Sequence, residues 1–366
     1  MNRTMGQYLV GLNLIRHINP RRMAILLDHF PSTQAIWEAT QAEIAVLPGF
    51  AAVAAQIVSE RSDEAMEREL ENAEEKGIQL VTLLDPEYPP LLREIETPPP
   101  VLYVKGDLNV DTTRTIGVVG TRRSSGYGRA VASRLAYGLG RLGLIVVSGM
   151  AGGIDTAAHK GALKASAHTV AVLGAGFGHL YPASNRGLAG RIEGAGTLLT
   201  EYPLDMRPAR WTFPQRNRIL SGISRGVVVV EAPARSGALI TARFALEQGR
   251  EVFAVPGNLT STASTGPNRL IKDGAKLVED TGDIIGEFPD LSALIHPPAE
   301  QAQAKIPSLS EQERGVYERI GLEPVHIDDI ISHGGFSPTE AAHILLRLQM
   351  ADLIREVEGR RYIRNP

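Results

Sequence analysis

The chain has 366 residues, too many for one ordinary core, and its 43% hydrophobic and 22% charged content describes a folded protein of two or three domains. It contains no cysteine, which excludes disulfides, zinc–thiolate sites and thiol catalysis. The formal net charge of -3 hides a sharp division: residues 1–113 carry -8, residues 114–250 carry +12, residues 251–307 carry -4 and residues 308–366 carry -3.

Residues 1–75 read as a helical domain of the SAM or helix-hairpin-helix kind, with short apolar-periodic pieces at Met23–Phe30, Thr33–Ala39 and Glu43–Val46. Ile44–Ile57 is helix, a tight turn at Pro48-Gly49, then helix. Such a turn can offer N–H groups to a phosphate. No Lys or Arg lies between residues 23 and 60, which favours a structural or protein-contacting module. The first twenty residues hold no long apolar run, so neither a leader nor a membrane span is expected, and the cytoplasm is the default location. Short strands are expected at Gln79–Leu83 and Val101–Val104, around Pro98-Pro99-Pro100.

Residues 76–290 form the expected central domain, an extended Rossmann-like α/β unit. Strands at Thr115–Val119, Leu144–Ser148, Thr169–Leu173, Thr197–Thr200, Gly226–Glu231 and Glu251–Val255 alternate with helices near 125–141, 154–165, 184–193, 214–221, 238–248 and 267–274. Runs of Val, Ile and Leu with little polar alternation call for a parallel sheet covered on both faces, a mixed edge being left open. A linker is expected over 291–307. A winged-helix domain over 308–366 follows, with helices at Ser310–Arg319, His326–Ile331 and Ser337–Leu348 and a wing from Leu353–Val357 to Arg361–Ile363. Its third helix is weakly charged for groove insertion, so protein contact is at least as good a role as DNA contact.

Ligands of a doubly wound sheet lie beyond the carboxyl ends of its strands, and Gly-rich or basic motifs fall at those ends in turn. The first is Gly120-Thr121-Arg122-Arg123, whose turn and following helix start could present N–H groups to an anion. This is not the dinucleotide fingerprint. The second is Ser148-Gly149, then Gly152-Gly153-Ile154-Asp155, with Lys160 about one turn further on. After the fourth strand, Pro214 suits the first position of a helix, which puts Arg216, Asn217 and Arg218 in its first turns. Arginine there opposes the helix dipole unless an anion binds at the same end. Ser236 and Gly237 follow the fifth strand, and Asn268 and Lys272 lie on the helix after the sixth. Phe177, Tyr181 and Tyr202 lie near these loops and could stack on bases. Asp155, His159, Glu201 and Glu231 are the candidates for an acid or base, although a hydrogen-bonded place in the layer behind the site is the better reading of His159. No hydrolase elbow, HExxH or Walker sequence accompanies them, and no catalytic residue, metal site or cofactor is assigned. Sixteen of the eighteen basic residues in 114–250 are arginine, the residue suited to forked phosphate contacts.

The runs Ser148–Asp155, Ala158–Leu163, Thr200–Pro203, Phe213–Ile219, Val230–Ala232, Ser236–Thr241 and Pro256-Gly257 resemble, in order, the motifs of the DNA-processing protein DprA/Smf family. Many members have Ser-Leu where this chain has Ala238-Leu239. The resemblance implies sequence-independent binding of single-stranded DNA, protection of incoming strands in natural transformation, loading of RecA recombinase and a homodimer made through the Rossmann-like domain. It carries the basic pocket onto Arg122 and Lys160, and the family's Arg-Asn-Arg motif onto Arg216 and Arg218, either as DNA contacts or as braces of the pocket. Two other readings stay open. One is a nucleotide-phosphate hydrolase of the lysine-decarboxylase-like Rossmann type, using Asp155 or Glu201. The other is a scaffold whose positive face meets the acidic residues 1–113.

Overall fold

The computed structural model describes residues 3–107, 110–294 and 309–364, apart from 322, 335, 352 and 358. Among them, six helices open the chain: α1 (Met5–Leu14), α2 (Pro20–His29), α3 (Thr33–Glu38), α4 (Gln41–Ala45), α5 (Ala54–Ser59) and α6 (Asp63–Glu75). Thr4, Asn19, Ser32, Thr40 and Ser62 cap five of them by accepting from an amide in the first turn. Between α4 and α5 the chain reverses through Gly49 at φ 81°, a left-handed conformation that glycine adopts without strain. The apolar faces meet in a core of Leu9, Leu26, Ile36, Ile44, Phe50 and Ile57. Val101, Tyr103 and Leu204 belong to the same core, so the helical module is fused to the edge of the central sheet.

That sheet begins with β1 (Gln79–Thr82), α7 (Pro90–Arg93) and β2 (Val101–Gly106). It continues through β3 (Thr115–Val119), α8 (Gly126–Arg141), β4 (Ile145–Ser148), α9 (Ile154–Lys164), β5 (Thr169–Val172), α10 (Arg186–Glu193), β6 (Thr197–Thr200), α11 (Thr212–Ile223), β7 (Gly226–Val229), α12 (Gly237–Glu247), β8 (Glu251–Ala254), α13 (Thr265–Lys272) and β9 (Lys276–Leu277). The spatial order is β1-β2-β6-β5-β4-β3-β7-β8-β9. β3 to β9 are parallel neighbours, whereas β2 runs antiparallel to both β1 and β6, so the edge is mixed. Ile116, Val118, Val146 and Val228 point to one face, under α8 and α9. Val119, Val147, Val172 and Val229 point to the other, under α11 and α12. This alternation is the period of two on a sheet buried on both sides.

The chain winds outward from β3 through β4 and β5 to β6, then returns to the other side of β3 at β7. The β3/β7 boundary is therefore the topological switch point, where the crossovers diverge and leave a crevice at the strand ends.

Two boundaries differ from expectation. α14 (Thr281–Ile285) and α15 (Pro289–Leu294) extend the folded unit past residue 290, because Leu291 is buried in the α8/α9 core. The rest of the expected linker lies outside the described residues up to 308. The second is α11, which begins at Thr212, so Pro214 is its third residue. The Thr212 hydroxyl donates to Ala209 O at 2.8 Å and starts the helix early. A proline in the third position still loses no helical hydrogen bond, since the first four amides have no partner within the helix.

The C-terminal unit comprises α16 (Glu311–Arg319), β10 (Val325–His326), α17 (Ile327–Gly334), α18 (Pro338–Met350), β11 (Ile354–Val357) and β12 (Arg361–Arg364), with strand order β10-β12-β11. The Ser310/Glu313 and Ser337/Glu340 pairs form the two anticipated capping boxes. His326, expected in a helix, lies in the third strand of the wing instead.

Candidate functional site

At the switch point the end of β3 is tied to the end of β7: Thr121 N donates to Glu231 O at 2.7 Å. A Cβ at Gly120 would lie 2.8 Å from that same carbonyl, so glycine permits the approach. The buried Glu231 carboxylate accepts from Ser125 N at 2.9 Å and from Ser125 Oγ at 2.5 Å. Ser125 Oγ in turn accepts from Gly128 N at 2.9 Å. One amide at the start of α8, that of Gly128, is thus capped by the chain's own Ser125. Glu231 is occupied in holding this turn.

The second loop is fixed from below. Ser148 Oγ donates to Val118 O at 2.7 Å and is fully buried. Gly153, at φ 79°, starts α9, and a Cβ there would lie 2.7 Å from Arg122 O. Arg216 is buried and donates through Nη1 to Gly149 O at 2.6 Å and to Val172 O, the carbonyls at the ends of β4 and β5. Its Nε donates to Asn217 Oδ1 at 3.2 Å, and Asn217 Nδ2 donates to Gly237 O at 3.2 Å. Burial lowers the Arg216 pKa, with the neighbouring Asp155 opposing that. A Cβ at Gly149 would sit 2.7 Å from an Arg216 guanidinium nitrogen and 2.7 Å from Asp155 Oδ2. Asp155 accepts from Ala151 N at 3.3 Å, and burial raises its pKa to about 6 despite the nearby Arg216.

Arg218 is buried as well. It holds Glu201 through two bonds of 2.7 Å and donates through Nε to Thr97 O at 3.1 Å. Burial alone would lower its pKa, but Glu201 more than offsets this and raises it. These two arginines brace strand ends, and no bound anion is needed to explain their place on α11. His159 is fully buried, with Nδ1 2.8 Å from Thr169 Oγ1. Burial, with help from Arg216, lowers its pKa to about 3, which keeps it neutral as an interior packing residue.

Above this braced layer lies a cleft of about 640 Å³. Its walls include Gly120, Thr121, Arg122 and Arg123 from the β3 end, Arg210 from the β6–α11 connection, Phe213 from the first turn of α11, and Arg235, Ser236 and Gly237 at the start of α12. Arg216 and Asn217 form part of the floor, and Asp155 is the one carboxylate among the lining residues. Arg122, Arg123, Arg210 and Arg235 are exposed. The Arg122 guanidinium lies over the Phe213 ring, 4.8 Å from its centroid, and the Tyr181 ring sits 5.6 Å from Phe213. Tyr181 is 49% exposed. The arrangement offers forked cations for phosphate oxygens and a ring face for a base.

Several expected residues stand elsewhere. Lys160 is exposed but is no wall of this cleft. Asp155 faces the cleft, and five residues at 3.6 per turn carry Lys160 about 140° around α9. Asn268 exchanges two hydrogen bonds with Gly257, of 3.1 and 2.9 Å, and pins that loop. Lys272 is exposed on α13, away from the lining. Of the three rings considered for stacking, Tyr202 is buried with its hydroxyl donating to Thr212 O at 3.0 Å, and Phe177 packs against two cores. Arg210, Arg235 and Phe213 were not among the expected site residues. The signal for Arg210 and Arg235 was position, in connections that leave carboxyl strand ends, and Phe213 stands in the first turn of the helix that follows one of them.

The family model described as DNA recombination-mediator protein A matches residues 79–289, and the DprA winged helix domain matches residues 298–360. Protein Smf of Synechocystis sp. is 31% identical over 390 residues, covering 98% of each chain. The chain belongs to the DprA/Smf family. Among solved structures, DNA processing protein A (DprA) from Streptococcus pneumoniae superposes with a TM-score of 0.67 at 34% identity, over 79% of this chain and 99% of that one. DNA processing protein A from Helicobacter pylori, described for its single-stranded DNA binding mode, superposes at 0.53 with 30% identity, over 60% of this chain and 98% of that one. The DprA/Smf match encloses every residue named as a wall of the cleft. The family is described as one of DNA-recombination mediators, and the nucleotide-hydrolase alternative finds no support in it.

Proposed function

We propose that the cleft at the β3/β7 switch point holds the backbone of single-stranded DNA without regard to sequence. The observation that carries this is the grouping of four exposed arginines and the exposed Tyr181 ring around a single buried carboxylate. Phosphate oxygens meet Arg122, Arg123, Arg210 and Arg235, and binding releases the strand's counterions. Bases stack on the face of Tyr181, a contact every base can make. A cleft of about 640 Å³ has the size of a small-ligand pocket and admits a nucleotide or two, not a duplex. The Helicobacter pylori relative, described as binding single-stranded DNA, supports the choice of ligand.

In this reading the protein acts as a dimer through its Rossmann-like domain, in the cytoplasm, and passes the strand to RecA. Titration of fluorescein-labelled oligo-dT tests the site. Arg122→Ala combined with Arg210→Ala weakens binding at least ~100-fold, two charge-assisted contacts of about 1.5–3 kcal/mol each being lost. Lys160→Ala changes affinity far less. Full affinity in the double variant, or a loss confined to Lys160→Ala, would place the strand elsewhere.

A further inference from the structure

A second cleft of about 440 Å³ opens where the helical module meets the central sheet, between Asn13–Met23 and the β6–α11 connection. Its walls include Trp211 and Gln215, whereas Arg210 and Phe213 line the first cleft. Arg210 and Trp211 are consecutive, so the two clefts adjoin at the start of α11. Trp211 is 55% exposed, and its ring is steadied edge-on by the buried Tyr202 at 6.1 Å.

Among the described residues, nothing accepts a hydrogen bond from the Arg16 guanidinium; its backbone N donates to Glu60 Oε2 at 2.9 Å. The Gln215 side-chain amide likewise has no hydrogen-bond partner among them. The three groups are different in kind. One is a ring face, one a free cation, and one an amide able to donate and accept.

We infer that this seam is a second nucleotide subsite, taking the next part of the single strand held in the first cleft. A base stacks on Trp211, the Gln215 amide meets the base edge, and Arg16 meets a phosphate. The acidic helical domain thus contributes to binding through one arginine at its border. The inference rests on the reading of the first cleft, and continuity through Arg210–Trp211 is what makes the occupant the same strand rather than a separate ligand.

The test uses the full chain and unlabelled oligo-dT of short and long lengths. Emission from Trp211, isolated as the difference between wild type and Trp211→Phe, falls when long oligo-dT is added. Trp211→Ala weakens binding of the long oligonucleotide about tenfold. Arg16→Ala, at an exposed position with no fold to disturb, also weakens it and lowers the salt dependence. Neither changes the affinity of an oligonucleotide short enough to fill the first cleft alone, and Trp211→Phe recovers most of the loss. Arg122→Ala weakens both lengths. If oligo-dT binds through Arg122 but leaves Trp211 emission and the length dependence of both variants unchanged, the subsite is wrong and the first cleft stands. If no oligo-dT binds at all, both fall together.

Discussion

Asp155 and His159 sit one turn apart on α9, both buried beside Arg216, and burial moves them in opposite senses. Asp155 is raised from 3.8 to about 6, so its proton is bound more tightly in the folded state. The stability this lends is full below pH 3.8 and is lost as pH rises through about 6. His159 is lowered from 6.5 to about 3, so its contribution is full above pH 6.5 and is lost as pH falls toward 3. Between those limits the two oppose each other, and single variants separate them. In urea unfolding, the midpoint of Asp155→Asn moves in the variant's favour, relative to wild type, as pH rises from about 4 to about 7. A difference independent of pH would mean that Asp155 titrates as it does in the unfolded chain. The sequence showed both among the candidate acids and bases, with His159 read first as a hydrogen-bonded residue behind the site, as its contact with Thr169 bears out. Their burial, which makes them interior groups, depends on α9 packing under the β4 and β5 ends and leaves no local signature.

At the scale of elements, α11 joins the whole site. Arg216 reaches under β4 and β5, Arg218 grips Glu201 just past β6, and Asn217 holds the start of α12. The Arg218–Glu201 pair is almost fully buried, each side chain being 6% exposed. Removing one partner leaves an uncompensated charge, so Glu201→Gln lowers unfolding free energy by about 3–5 kcal/mol. Replacing both by apolar residues of similar size, Arg218→Met with Glu201→Leu, recovers most of that. Chemical denaturation of the single and double variants measures it, and a loss below ~1 kcal/mol in the single variant would contradict a structural role for the pair.

Much of this frame was legible because parallel strands buried on both faces are unbroken apolar runs, and Thr115–Val119 and Thr197–Thr200 lie where such runs placed them. Lys276–Leu277 was not anticipated, since two exposed residues make a strand only by pairing with β8. The start of α11 was misplaced because the Thr212–Ala209 bond, formed in three dimensions, overrides the proline signal. Arg210 lies in a connection with no period of its own.

For the molecule as a whole, net charge is a poor guide to binding. A formal -3 conceals +12 over residues 114–250, and the fold concentrates part of that excess into one crevice. The acidic flanks lower non-specific attraction elsewhere on the surface, while Arg122, Arg123, Arg210 and Arg235 have no ion-pair partner among the described residues. The salt dependence of oligo-dT binding tests the central claim most directly, because each phosphate neutralised contributes about 0.7 to the slope of log K against log salt. The arginine cleft predicts a steep negative slope for the wild-type chain and a slope shallower by about 1.4 for Arg122→Ala combined with Arg210→Ala. A slope near zero, or one unchanged in the double variant, would contradict it.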